Sequence, residues 1–157
     1  MPRSRLIALH AGASAIALLA ICAFWLSALV AEFVTDHAGT ESIRMAIFYA
    51  LPVLVIALSA AGASGSKLAG RSGAPRIAAK RTRMKAAAAN GLLILVPSAI
   101  FLAWKADIGV FDTSFTMVQL VELIAGGANI ILLGLNMRAG LEMRGRRLRL
   151  PRQGAIS

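Results

Sequence analysis

Cysteine, histidine and acidic residues are scarce in this chain, and each scarcity excludes a class of function. Cys22 is the single cysteine among 157 residues, so no internal disulfide and no pair of thiol metal ligands can form. The two histidines, His10 and His37, leave little room for metal or haem chemistry. No Ser-His-Asp, Cys-His or H-E-x-x-H arrangement is present. The sequence therefore predicts no catalytic residues and no metal site.

Charged residues are also few, at 15% of the chain, whereas 58% of the residues are hydrophobic and the mean hydropathy is +0.73. These values lie outside the range of soluble proteins. Four apolar stretches, at 6–30, 43–63, 86–104 and 115–135, have the roughly 19–25 residues with which a helix crosses a bilayer core of about 30 Å. The first is too long for the apolar core of a signal peptide, which spans about 7–15 residues. We expect an all-α, integral membrane four-helix bundle that forms one domain over 1–157.

Basic residues are concentrated in three places, which predicts the orientation of the bundle. Fifteen of the 17 Lys and Arg residues lie in the N-terminal segment, in a loop at 64–85 and in a tail at 138–157. The other two, Arg44 and Lys105, flank two short acidic loops, and Arg44 is expected to reach towards the membrane interface. Because short basic loops stay on the cytoplasmic side, both termini are predicted to be cytoplasmic.

The basic loop and tail predict the partners of the cytoplasmic face. Basic residues near a membrane surface attract anionic lipid headgroups by about 1 kcal/mol each. Nucleic acid is not predicted as a partner, because no aromatic residues alternate with the charges as stacking platforms. The lipid bilayer is the partner expected, and either a membrane-protein partner or a second copy of the chain is a further candidate.

The fourth span carries polar residues in a helical pattern. Positions 119, 122, 126, 129, 133 and 136 step by three and four, so they share one helix face. A carboxylate and carboxamides facing hydrocarbon would cost several kcal/mol, so this face should point into the bundle. At similar depths on the third span, Ser98 should meet Glu122 and Asn90 should meet Asn129. The predicted intramembrane polar cluster comprises Asn90, Ser98, Gln119, Glu122, Asn129 and Asn136.

Two interpretations of this cluster remain open. It can hold the helices together, with Gly126 and Gly127 allowing close approach, or it can bind a proton or a ligand. His10 and Glu122 are the candidates for binding a cofactor, which would be haem b or a quinone. His10 and His37 are 27 residues apart, about 40 Å along a helix, so they cannot ligate one iron together.

Two segments of the sequence resemble a known group of proteins. The segments RMKAAAANGLLILVPSAIFL and FDTSFTMVQLVELIAGGANIILLGLNMRAGL are similar to a group of small bacterial inner-membrane proteins. The similarity is densest from Lys80 to Leu141. The resemblance implies a four-helix fold and a location in the inner membrane, and it implies no activity.

Three functions follow as hypotheses from these features. The first is a non-enzymatic multi-pass inner-membrane protein that acts as an accessory or scaffold subunit with a basic cytoplasmic face. The alternative is a small redox or proton-linked membrane protein that binds quinone or b-type haem. A small-molecule carrier that acts as an oligomer is the third hypothesis, because four helices are few for a carrier.

Overall fold

The computed structural model describes residues 2–70 and 75–149, and this part of the chain is helical throughout apart from short connections. Its helices are α1 (Arg3–Phe33), α2 (His37–Ala69), α3 (Pro75–Asn90), α4 (Val96–Asp107) and α5 (Thr113–Arg149). A π-helical turn, Gly91–Leu95, joins α3 to α4, so that these form one long helix. The result is four helices long and apolar enough to cross a membrane, which confirms this part of the prediction.

Contacts across the bundle show that consecutive helices run antiparallel. His10 of α1 lies beside Ala61 of α2, whereas Thr40 near the start of α2 bonds to Ala31 near the end of α1. The connections at 34–36 and 108–112 therefore meet at one end, which we call the acidic end. The start of α1 and the end of α2 lie at the other, which we call the basic end. α5 packs against α1, α3 and α4, while α2 packs mainly against α1 and α4.

The core of the bundle is made of small and aliphatic side chains, and the outside is apolar as well. One buried cluster joins α1 and α2 and contains Ala17, Ile21, Leu54 and Ala57. Alanine is frequent at these contacts because small side chains let helix backbones approach closely. Many large apolar side chains point outward, away from the core.

The second helix begins earlier than the sequence predicted, at His37 rather than near position 43. Asp36 caps it, because its carboxylate accepts a hydrogen bond of 2.9 Å from the Gly39 N–H. This start places Arg44 seven residues inside the helix, about 10 Å from its first residue. The Arg44 side chain is buried in the bundle, so the expectation that it reaches towards the membrane interface is wrong.

Most of the predicted basic loop at 64–85 is helical. α2 continues to Ala69, and α3 begins at Pro75; residues 71–74 lie outside the described part. Alanine, lysine and arginine are strong helix formers, which outweighed the glycine and serine content of this segment. α2 ends at Gly70, whose φ of 53° favours glycine.

The predicted basic tail at 138–157 is also helical in its first part, because α5 runs as far as Arg149. The Arg138 side chain pairs with Glu142 one turn later at 3.1 Å. Such exposed pairs four residues apart stabilise a helix by about 0.3–0.5 kcal/mol. Residues 150–157 lie outside the described part of the chain.

The third helix contains a local change of pitch in its middle. Through the π turn, the Val96 N–H bonds to the Gly91 carbonyl five residues back, instead of four. Pro97 follows directly and has no N–H to donate to the Leu93 carbonyl. A π turn of this kind widens the helix locally, and such turns occur often beside functional sites.

Candidate functional site

A cavity of about 350 Å³ lies in the centre of the bundle, and all four long helices contribute to its walls. The walls are mostly aliphatic and aromatic; the exceptions are Ser59, Glu122 and Asn129. Val55 and Leu92 line the cavity and are also exposed on the outside of the bundle. The cavity therefore opens sideways, between α2 and the π turn.

One wall of the cavity depends on the contact between Trp25 and Gly126. The Trp25 indole donates a hydrogen bond of 2.8 Å from Nε1 to the Leu123 carbonyl of α5. A Cβ atom at position 126 would lie 2.8 Å from Trp25 Cδ1, closer than van der Waals contact allows. Glycine at 126 therefore lets the indole pack closely against α5, and the indole hydrogen bond joins α1 to α5.

A buried ion pair lies at the acidic side of the cavity and joins α2 to α5. Arg44 is 1% exposed, and its Nη1 donates to Glu122 Oε2 at 2.5 Å. Its Nη2 donates to Gln119 Oε1 at 2.7 Å. The guanidinium carbon also lies 5.9 Å from the centre of the Phe115 ring. We call Arg44, Gln119 and Glu122 the arginine cluster.

The arginine cluster replaces the predicted contact between Glu122 and Ser98. Ser98 is buried on α4, but the Glu122 carboxylate takes its hydrogen bond from Arg44 instead. The sequence contained one signal that would have identified this partner. A carboxylate inside a bundle requires a cation, and Arg44 is one of only two cations outside the basic segments.

The two central asparagines do not bond to each other as predicted. Asn90 donates from Nδ2 to the Ala125 carbonyl at 2.8 Å and so ties the third helix to α5. Asn129 lies in the cavity wall, is 1% exposed, and has no partner for either Nδ2 or Oδ1 among the described residues. Gly91 of the π turn faces it, and a Cβ atom added at position 91 would lie 3.7 Å from Asn129 Nδ2.

The polar stripe of α5 faces inward along its whole length. Gln119, Glu122, Asn129 and Asn136 are all buried, whereas Val121 and Ile124 on the opposite face are exposed. Asn136 lies closer to the basic end, outside the cavity wall, and both of its amide atoms also lack a partner among the described residues.

The two histidines lie at opposite ends of the bundle, and neither lines the cavity. His10 Nδ1 lies 3.0 Å from the Ala61 carbonyl and 3.2 Å from Ser64 Oγ, which fixes the ring against α2. His37 stacks on Phe111 at the acidic end, with ring centres 4.3 Å apart. In residues 2–70 and 75–149, no three His, Cys, Asp or Glu side chains are grouped so as to hold a metal ion.

The start of α5 is fixed by a second polar cluster, at the acidic end. Lys105 donates from Nζ to Asp112 at 2.6 Å and to Ser114 at 2.6 Å, and Asp112 accepts from the Phe115 N–H at 3.0 Å. The Lys105 ammonium, together with Ser114 and the Phe115 N–H, holds the pKa of Asp112 well below its usual range. This cluster fixes the start of α5 relative to the end of α4. It therefore also fixes the position of the polar stripe along the bundle axis.

None of the protein-family models, curated proteins or solved structures compared with the chain matches it. The cavity and its polar wall are therefore the features from which a function is inferred.

Proposed function

We propose that this chain is a four-span protein of the bacterial inner membrane with both termini in the cytoplasm. The outward side chains of its helices support this location, since Leu19, Ile56, Leu93 and Ile124 are 67–72% exposed. An apolar exterior on every side suits hydrocarbon and is rare in soluble proteins. Lys67, Arg81 and Lys85 lie near the basic end, and the positive-inside rule assigns such an end to the cytoplasm.

Within the membrane, the protein binds a lipid-soluble small molecule without transforming it. The cavity is the observation that carries this proposal: its volume of about 350 Å³ falls within the roughly 300–1,000 Å³ of small-molecule sites. Its lateral opening between Val55 and Leu92 gives a molecule dissolved in the bilayer a way in without crossing water. A quinone or a lipid fits this chemistry, whereas a haem would find no histidine in the wall.

An accessory or scaffold subunit is the second candidate function, and the basic end favours it. Lys67, Arg81 and Lys85 are exposed on two adjacent helices there. Each basic residue near an anionic membrane surface adds about 1 kcal/mol of attraction. This role is compatible with a bound small molecule, and a carrier formed by several copies would use the same cavity.

Filling the cavity tests the proposal. Ala28 is buried in the cavity wall, and Ala28→Leu adds three carbon atoms that occupy part of the volume. Ala23→Leu makes the same change on the exposed side of α1 and serves as the matched control. Both variants and the wild type are purified gently from their own membranes and examined by native mass spectrometry and absorption spectroscopy.

We expect a stoichiometric small molecule on the wild type and on Ala23→Leu, and its loss from Ala28→Leu. Absorption distinguishes a quinone from a lipid. A wild-type sample without a bound small molecule, or equal retention by all three proteins, would refute the proposed binding. A protein that co-purifies instead would support the accessory role.

The orientation has a separate test. A reporter that is active only in the periplasm should be silent when fused after Ser157 and active when inserted near Gly39. Gly39 lies at the acidic end, beside the connection between α1 and α2. The opposite pattern would reverse the orientation while leaving the cavity unaffected.

A further inference from the structure

Asn129 is the feature of the cavity that the proposed function does not yet explain. Its side chain is buried in the wall, and neither amide atom has a partner among the described residues. At least about 90% of buried polar groups in proteins are hydrogen-bonded, because leaving a donor or acceptor unpaired destabilises the fold. Asn90, one helix away, shows the ordinary arrangement, since its amide donates to the Ala125 carbonyl.

Each of the other polar side chains in the wall either makes at least one hydrogen bond or lies at the rim. Glu122 accepts from Arg44 through Oε2, and the Trp25 N–H donates to Leu123. Ser59 is exposed at the rim rather than buried in the wall. Asn129 therefore brings a buried donor and a buried acceptor together at one point of an apolar space.

We propose that Asn129 is the recognition group of the cavity, and that the ligand is an apolar molecule whose buried end is a neutral O–H group. This inference rests on the proposed binding function. An O–H group donates to Oδ1 and accepts from Nδ2, so it satisfies both amide atoms. A carbonyl or an ether only accepts and leaves Oδ1 unpaired, while a charged end is disfavoured in an apolar cavity. Quinols and lipid alcohols share this chemistry.

Two probes with the same apolar body separate these cases. Para-decylphenol carries an O–H group, and para-decylanisole carries a methyl ether in its place. Binding is measured by the fluorescence of Trp25, which lines the cavity, in a Trp104→Phe background that removes the other tryptophan. We expect the phenol to bind about tenfold or more tightly than the anisole, because an unpaired buried acceptor costs that much affinity.

The variant Asn129→Leu should remove this preference and, at the same time, raise the melting temperature. Leucine has the same number and branching of side-chain heavy atoms and no polar atoms, so the unpaired amide disappears from the interior. If Asn129 served only to stabilise the fold, Asn129→Leu would give the opposite result: the melting temperature would fall, and the preference for the phenol over the anisole would stay unchanged. Asn90→Leu is the matched control: we expect a lower melting temperature and an unchanged preference. Asn129→Ala repeats the binding test with a smaller side chain.

The outcomes separate this inference from the proposed function. Equal binding of both probes, or a preference that survives in Asn129→Leu and Asn129→Ala, overturns the role of Asn129 and leaves the cavity as a binding site. If neither probe binds the wild type, the proposed function fails together with the inference. Mass spectrometry of the natural ligand then distinguishes a quinol from a lipid alcohol, and a ligand without an O–H group would contradict the inference.

Discussion

Removing one member of the arginine cluster should destabilise the protein far more than removing its ion pair as a whole. Arg44 is buried, with bonds of 2.5 Å to Glu122 and 2.7 Å to Gln119. Glu122→Leu leaves a guanidinium in the interior without its counter-charge, which costs about 3–5 kcal/mol. For a chain of this length, that corresponds to a fall in melting temperature of about 6–20 °C. Arg44→Met should have an effect of the same size, because it leaves the carboxylate alone.

The double variant Arg44→Met with Glu122→Leu decides whether this reasoning holds. A buried ion pair replaced by apolar side chains of similar volume is often neutral or even stabilising. We therefore expect the double variant to unfold close to the wild-type temperature, with a large coupling energy between the two sites. Thermal unfolding of the detergent-solubilised protein, followed by circular dichroism, measures all four proteins. If the two single effects simply added, or if either single variant were neutral, the ion pair would not be the buried contact described.

Two further predictions concern close packing and acid stability. Gly126→Ala should lower the melting temperature by the equivalent of about 1–3 kcal/mol, because the new methyl group displaces the Trp25 indole. Gly127→Ala is the control. Its Cβ would lie 3.8 Å from that ring, so this substitution should be tolerated. The depressed pKa of Asp112 stabilises the fold above the unfolded value of about 4, and this contribution is lost as the pH falls below it. Melting temperatures measured from neutral to acid pH should therefore fall less steeply in Asp112→Asn than in the wild type, and parallel curves would remove the role of the Lys105 contact.

Hydrophobic length and periodicity were sufficient to predict the helices and the inward face of α5. The pattern of Gln119, Glu122 and Asn129 at steps of three and seven is local, so it can be read from one segment. The partners of these residues could not be predicted in the same way. Gln119 and Glu122 lie 75 and 78 residues after their partner, Arg44, along the chain. Whether Arg44 reaches them depends on where α2 begins. Asp36 determines that start through a single cap, which hydropathy does not detect.

The sequence also did not predict the π turn. Its local signals, Pro97 and Gly91, are weak, and the contact between Gly91 and Asn129 exists only in the folded chain. Pro97 alone predicts a kink, and Gly91 alone predicts little. In the folded chain, Gly91 lies opposite Asn129, and the wider turn brings Leu92 and Leu95 into the cavity wall. The cavity is thus a product of packing between segments, which no single stretch of sequence contains.

The buried polar side chains of α5 differ in whether they have hydrogen-bond partners. Near the acidic end, Gln119 and Glu122 each accept a hydrogen bond from Arg44, and this contact joins α2 to α5. Asn129 lies two helical turns further along, about 10 Å away, and has no partner among the residues that the structure describes. Sequences that satisfy most local rules tend to break them at functional sites, where stability is exchanged for binding. We expect an apolar residue at 129 to make the bundle more stable, and the proposed ligand would account for the asparagine there; Asn136, which is also unpaired among the described residues but lies outside the cavity wall, has no such account.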